Sequence, residues 1–150
     1  MSAHPSTWRA LSASPSAARE ARRIVAALPQ LVDPDLAFTA QLLTSELVAN
    51  SVRHAGLAPG DSIALAVRSD GERIRVEVED GGPCFDPLAF LVRHRRSDEG
   101  HHGLVLVDAL ADRWGFRRGE RCCVWFEIDL VPGRRPWRGR EPLRAHPARR

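Results

Sequence analysis

Three short stretches of the chain hold side chains that could do chemistry. In TSELVANSVRHA, the spacing of Glu46, Asn50 and Arg53 sets them on one narrow arc of a helix with 3.6 residues per turn. An amide oxygen is a good ligand for a hard cation, and a carboxylate can orient or deprotonate a hydroxyl. In VEVEDGGP, Asp80 stands where an alternating strand runs out into Gly81 and Gly82. A carboxylate there can accept from an exocyclic amine, while Gly82 lets the backbone approach a flat ring. In DEGHHGLVLVDAL, Gly100 and Gly103 flank His101 and His102, and Leu104 begins an apolar helix. Free N–H groups at such a helix start form a cradle for phosphate. Each stretch also has a plain reading: a solvent-facing arc, a strand-ending Asp-Gly turn, and an ordinary glycine-containing helix start.

Other candidates are weaker. His94, His101, His102 and Cys84 lack the spacing of a structural zinc site, with no second Cys pair and no His at i+4. Cys122 and Cys123 are adjacent and should point to opposite faces of a strand, one packed as a small hydrophobe and one facing outward. Three cysteines, an odd number, do not make a disulfide framework, and a reducing cytoplasm is the simplest setting.

The elements that must position these residues follow from periodicity and punctuation. STWRALSA reads as a short first strand. Ser14 and Pro15 resemble an N-cap and first helical position, opening the helix SAAREARRIVAAL. Asp33 and Pro34 repeat the signal for a second helix that runs to His54 or Ala55, with Gly56 as its C-terminal cap. SIALAVR and RIRVEVED alternate apolar and polar residues, and the Asp-Gly in SDGE between them signals a hairpin. Residues 84–102 read as mostly loop, GLVLVDALAD as a short apolar helix, and RWGFRR with RCCVWFEIDL as a second hairpin. The expected fold is α+β: a two-layer sandwich, its sheet mixed or mostly antiparallel, with helices on one face.

Composition bounds the class. A chain of 150 residues, 43% hydrophobic and 27% charged, is one domain with a real core. No apolar run approaches the ~20 residues of a membrane span, and the N-terminus has no h-region, so no secretory signal or membrane partner is expected. The 22 basic residues are all arginine. Residues 131–150 carry +6 of the net +3, so residues 1–130 carry −3. The basic stretch is rich in Pro and Arg without a helical or strand period, which marks it as a disordered tail after a folded domain spanning residues 1–130.

In this order and spacing the three stretches resemble the nucleotide-binding boxes of the GHKL (Bergerat-fold) ATPase and kinase superfamily. They are most similar to its small single-domain branch, the anti-sigma-factor serine kinases and their ATP-binding relatives. TSELVANSVRHA looks like the N box, VEVEDGGP like the first glycine box, GHHGLVLVDALADRWG like the second, and VWFEI like the last strand. The resemblance covers roughly residues 10 to 130.

The resemblance implies ATP and Mg²⁺ as cofactors. It makes Glu46 the general base, Asn50 the holder of Mg²⁺, and Asp80 the acceptor from the adenine N6 amine. Gly82 lies beside the base, Gly103 and Leu104 form the glycine box near the phosphates, and Phe85 to His102 match the ATP lid. It implies a sigma factor as partner, a serine on a small anti-sigma antagonist as phosphate acceptor, and, since relatives are commonly dimers, a homodimer. Departures are also visible. Cys84 stands where the first box has its last glycine, a side chain that would narrow the slot or stiffen the lid hinge. His102 stands where the second box has a small residue, and Cys122 or Cys123 where a threonine is common. With no lysine, Arg53 is the cation placed to contact phosphates.

The leading expectation is an ATP-binding anti-sigma regulatory factor with serine/threonine kinase activity. The alternative is a non-catalytic module of the same fold with weak or no ATP binding, supported by the irregular glycine boxes. A nucleic-acid binder using the Arg-rich tail ranks last, because aromatic interleaving stops at Trp137.

Overall fold

The structure is a computed structural model and describes residues 6–84, 86 and 103–131. The expected lid (residues 85–102, apart from Asp86), the histidines 94, 101 and 102, and nearly all of the basic tail lie outside the described residues.

The chain begins with β1 (Ser6–Ser12), then α1 (Ala17–Ala26) and α2 (Pro34–His54). The hairpin β2 (Ser62–Ser69) and β3 (Arg73–Asp80) follows, then α3 (Gly103–Leu110) and the hairpin β4 (Arg113–Arg117) with β5 (Cys122–Asp129). The strands lie in the order β1-β2-β3-β5-β4, and all four pairings are antiparallel. The expected α+β two-layer fold is therefore present, with a sheet more uniform than the mixed alternative. Its register follows from alternation. Ile63, Leu65 and Val67 of β2, Ile74, Val76 and Val78 of β3, and Phe126 and Ile128 of β5 are buried on one side.

The helices cover that side. In α1, Ala17, Ala21 and Val25 recur every four residues and are buried. In α2, Ala40, Leu43, Leu47 and Val48 join the same core, and Leu104 and Val107 of α3 complete it. Asp33 caps α2 by accepting from the N–H groups of Asp35 (2.8 Å) and Leu36 (3.5 Å), with Pro34 at the first helical position. Gly56 ends the helix at φ 63° and Gly71 turns the first hairpin at φ 85°, both conformations that glycine adopts without strain. Ser14 is not the cap of α1. Ala17 N–H bonds the Ser14 carbonyl (3.1 Å), which places Pro15 in a turn and moves the cap to Ser16.

Among the described residues no helix lies on the opposite face of the sheet, which carries a network of charged side chains. Arg75 donates to Glu77 (2.8 Å) and Glu127 (3.1 Å) and lies 3.9 Å above the Trp125 ring. Arg113 bridges Glu127 (2.6 Å) and Asp129, and these partners raise its already high pKa. Beneath this layer Cys123 is only 1% exposed although it points away from the helices. Burial pushes its thiol up to about 11, with the Glu77 charge adding to the shift.

Candidate functional site: a groove between a helix end and a strand end

The polar arc of α2 does not face open water. Glu46 and Asn50 are half-buried and look toward Gly103, the first described residue of α3. A Cβ placed on Gly103 would lie 2.8 Å from Asn50 Nδ2 and 3.2 Å from Glu46 Oε2. The missing side chain is therefore what lets the α3 backbone meet the two polar groups. Arg53, one turn further on, is exposed and donates from Nη2 to Asn50 Oδ1 (3.4 Å). On α2 Glu46, Asn50 and Arg53 thus lie together, and Gly103 joins them from a distant part of the chain.

Asp80 ends β3 on the core side and is 9% exposed. Its Oδ2 accepts from Ser51 Oγ (2.6 Å), and its Oδ1 accepts from the Gly82 N–H (2.9 Å). Those two bonds orient the carboxylate and leave lone pairs on each oxygen for a further donor. Ser51 was not singled out by sequence reasoning. The available signal was a small hydroxyl immediately after Asn50, on the flank of an otherwise apolar helix face.

Gly82 has an internal reason to be glycine. A Cβ there would fall 2.6 Å from Ala55 Cβ and 2.8 Å from Ala55 Cα, so the turn after β3 packs directly on the end of α2. The α2 end and this turn line a shallow groove open to solvent. Leu47, Val78 and Val124 form its apolar floor, and Asn50, Ser51 and Asp80 supply its polar groups. An apolar trough with a few converging polar atoms is the form of a small-molecule site. Leu104 packs into the core behind Gly103. His102 lies outside the described residues. Among the described residues, no group of three or more His, Cys, Asp or Glu could hold a metal ion.

The cysteines correct a sequence expectation. Cys84 and Cys122, 38 residues apart, are joined in a disulfide with Cα atoms 5.4 Å apart. Cys122 is the register partner of Asp80 across β3 and β5, and it lines the groove. An odd cysteine count excludes a complete framework but not one bond, and only the sheet register brings this pair together. Cys123 is the free thiol.

The antiparallel five-stranded sheet with helices on one side is consistent with the GHKL-type ATP-binding fold. The sequence model of the histidine kinase-like ATPase domain matches residues 11–128, and the chain belongs to that family. A solved structure described as the RsbU and RsbW domains of Rv1364c from Mycobacterium tuberculosis superposes with a TM-score of 0.62 at 20% identity. That match covers 85% of this chain and 36% of the other, so this chain spans about a third of that protein's crystallised length. No curated protein matches. No helix among the described residues is long and apolar enough to cross a membrane.

Proposed function

We propose that the chain binds ATP with Mg²⁺ in this groove and works as an anti-sigma regulatory factor with serine/threonine kinase activity toward a small antagonist protein. The observation that carries this reading is the meeting of Gly103 with Asn50 and Glu46 beside a groove that ends at Asp80. A helix start stripped of its side chain, against a carboxamide and a carboxylate, suits phosphates and their cation.

In this reading Asp80 accepts from the adenine amine, held in position by Ser51, and Gly82 keeps the turn close to the base. Asn50 supplies one oxygen to Mg²⁺, a cation that keeps most of its shell as phosphate oxygens and water. When bound, Mg²⁺ neutralises phosphate charge. Arg53 adds positive charge next to Asn50, and His102, Gly103 and Leu104 bring the second box to the phosphates. Glu46 orients the acceptor hydroxyl and takes its proton. The box resemblance supports a sigma factor and a small antagonist as partners, a cytoplasmic setting and a homodimer, with residues 131–150 as an appended basic segment.

Titration calorimetry with ATP and Mg²⁺, followed by phosphotransfer to a cognate antagonist, tests this. Asp80→Asn should abolish the heat of binding, and Glu46→Gln should bind ATP but lose transfer. The second reading, a non-catalytic interaction module, draws on the fact that both Asp80 oxygens are already engaged by the protein's own donors. No heat at millimolar ATP would select it.

A further inference from the structure

The Cys84–Cys122 bond sits on the wall of the groove and not in the core. Both cysteines are half-buried, and Pro83 and Asp86 beside Cys84 are exposed. Among the described residues, the buried hydrophobic core includes neither cysteine. A domain of this size has no need of a staple to fold. In reducing compartments, disulfides that do form are transient or redox-sensing.

We propose that Cys84 and Cys122 form a reversible thiol-oxidation site that controls access to the Asp80 end of the groove. Asp80 receives Ser51 and Gly82 from within the protein, so a ligand must reach its remaining lone pairs through the groove, past Cys122 and Pro83. The bond pins the turn of residues 81–84 onto the start of β5 directly beside that carboxylate. Oxidised, the sulfur pair narrows this end. Reduced, the turn keeps the Gly82–Ala55 packing and the Gly82–Asp80 hydrogen bond but loses its covalent tie to β5, and it can lift to admit a planar ring.

The co-reactant is a low-molecular-weight disulfide such as glutathione disulfide. One cysteine thiolate attacks a sulfur of the reagent, forming a mixed disulfide and releasing one glutathione thiolate. The second thiolate attacks the protein sulfur of that mixed disulfide and releases the other glutathione. The two protein sulfurs are oxidised by two electrons in total, the reagent is reduced to two thiols, and the two thiol protons pass to the released glutathiones. Cys123 takes no part because it is buried under the charged face of the sheet.

The consequence for nucleotide rests on the ATP reading above, whereas the thiol chemistry does not. Full-length protein is equilibrated in glutathione buffers of increasing oxidised fraction, quenched with acid, and read by intact mass after maleimide labelling in denaturant, so that buried Cys123 also reacts. One internal disulfide, a loss of about 2 Da with one labelled thiol, is expected in oxidised buffer and its reversal in reduced buffer. Three labelled thiols throughout would overturn the site. Calorimetry on the two states should then show ATP–Mg²⁺ affinity at least ~10-fold weaker when oxidised. Cys84→Ser should match reduced wild type in buffer without glutathione disulfide, and in oxidised buffer it cannot form the internal bond. Should that variant fold poorly, the comparison of the two wild-type states still decides. Equal affinity in both states overturns the control while leaving ATP binding intact. No binding in either state overturns the control together with the ATP reading, and the mass assay, which needs no nucleotide, judges the disulfide alone.

Discussion

Replacing Gly103 by alanine should separate the stability of the fold from the working of the groove. A Cβ on Gly103 falls 2.8 Å from Asn50 Nδ2, 3.2 Å from Asn50 Oδ1 and 3.2 Å from Glu46 Oε2. Comfortable contacts lie near ~3.5 Å, so the neighbours must give by about 0.3–0.7 Å. All three are ends of side chains that can rotate, and alanine in a helix recovers up to about 1 kcal/mol over glycine. The net change in stability should stay within about 1 kcal/mol. The same displacement moves the two groups proposed to meet Mg²⁺ and the acceptor hydroxyl, so ATP–Mg²⁺ affinity should fall by at least ~10-fold, or ~1.4 kcal/mol. Gly82→Ala is the comparison. Its Cβ would sit 2.6 Å from Ala55 Cβ and 2.8 Å from Ala55 Cα, and a main chain cannot rotate aside. Overpacking of this kind costs about 1–3 kcal/mol, which lowers Tm by roughly 3–10 °C in a domain of this size. Urea and thermal unfolding by circular dichroism, paired with calorimetry, measure both quantities. The proposed role of Gly103 is refuted if Gly103→Ala unfolds as readily as Gly82→Ala, or if it keeps wild-type stability and wild-type ATP affinity together.

Other consequences can be measured directly. Ser51→Ala removes the buried 2.6 Å donor to Asp80 and should cost about 1–3 kcal/mol in chemical unfolding, with weaker ATP binding; Ser51→Thr, which keeps the hydroxyl, should recover part of both. Cys123, with its thiol pushed up to about 11 by burial and the Glu77 charge, should resist iodoacetamide at pH 8 in folded protein and react once unfolded; rapid labelling of native protein would refute its burial. Burial pushes the Asp70 carboxyl up, but the N–H groups of Arg73 (2.8 Å) and Glu72 (3.0 Å) and the Arg73 charge outweigh it, so its pKa lies below the ordinary value. The stability it contributes is therefore complete above the ordinary carboxylate value of ~3.9 and is lost as pH falls through the lower folded value. The stability gap between wild type and Asp70→Ala should accordingly be constant from pH 5 to 7 and shrink below about pH 4.

Much of the fold was legible because local rules and the tertiary structure agree. Asp33-Pro34, Gly56 and Asp70-Gly71 each specify a backbone conformation by themselves, and each stands where expected. Alternation fixed which face of β2 and β3 is buried. What escaped was non-local. The insertion of β5 between β3 and β4 sets Cys122 opposite Asp80, and no pattern within either strand encodes that neighbour. The same register creates the disulfide that an odd cysteine count seemed to argue against. Ser51 was missed for a related reason, since its partner is 29 residues away on another element. Cys123 shows the limit of alternation itself: it points away from the helices yet is 1% exposed, because the charged residues of the open face lie over it. Gly82 was legible as a glycine that permits close approach, but the neighbour it approaches in the structure is Ala55.

The energetics of the α2 arc favour a ligand over a bland surface. A leucine in place of Glu46 or Asn50, with a larger residue at 103 to pack on it, would bury apolar area worth about 1.5–3 kcal/mol per side chain. Glycine in the helix at 103 forgoes up to about 1 kcal/mol more. A chain selected only for folding has no reason to leave a carboxylate and a carboxamide half-buried against a backbone kept bare for them. Arcs that merely face solvent do not need that bareness, because long polar side chains there swing outward. Here the glycine and the polar pair come from segments 53 residues apart for Asn50, yet each makes sense only with the other present. Local rules broken together at one place, while capping, turns and core packing are obeyed elsewhere, are the expected signature of a site shaped by what it binds.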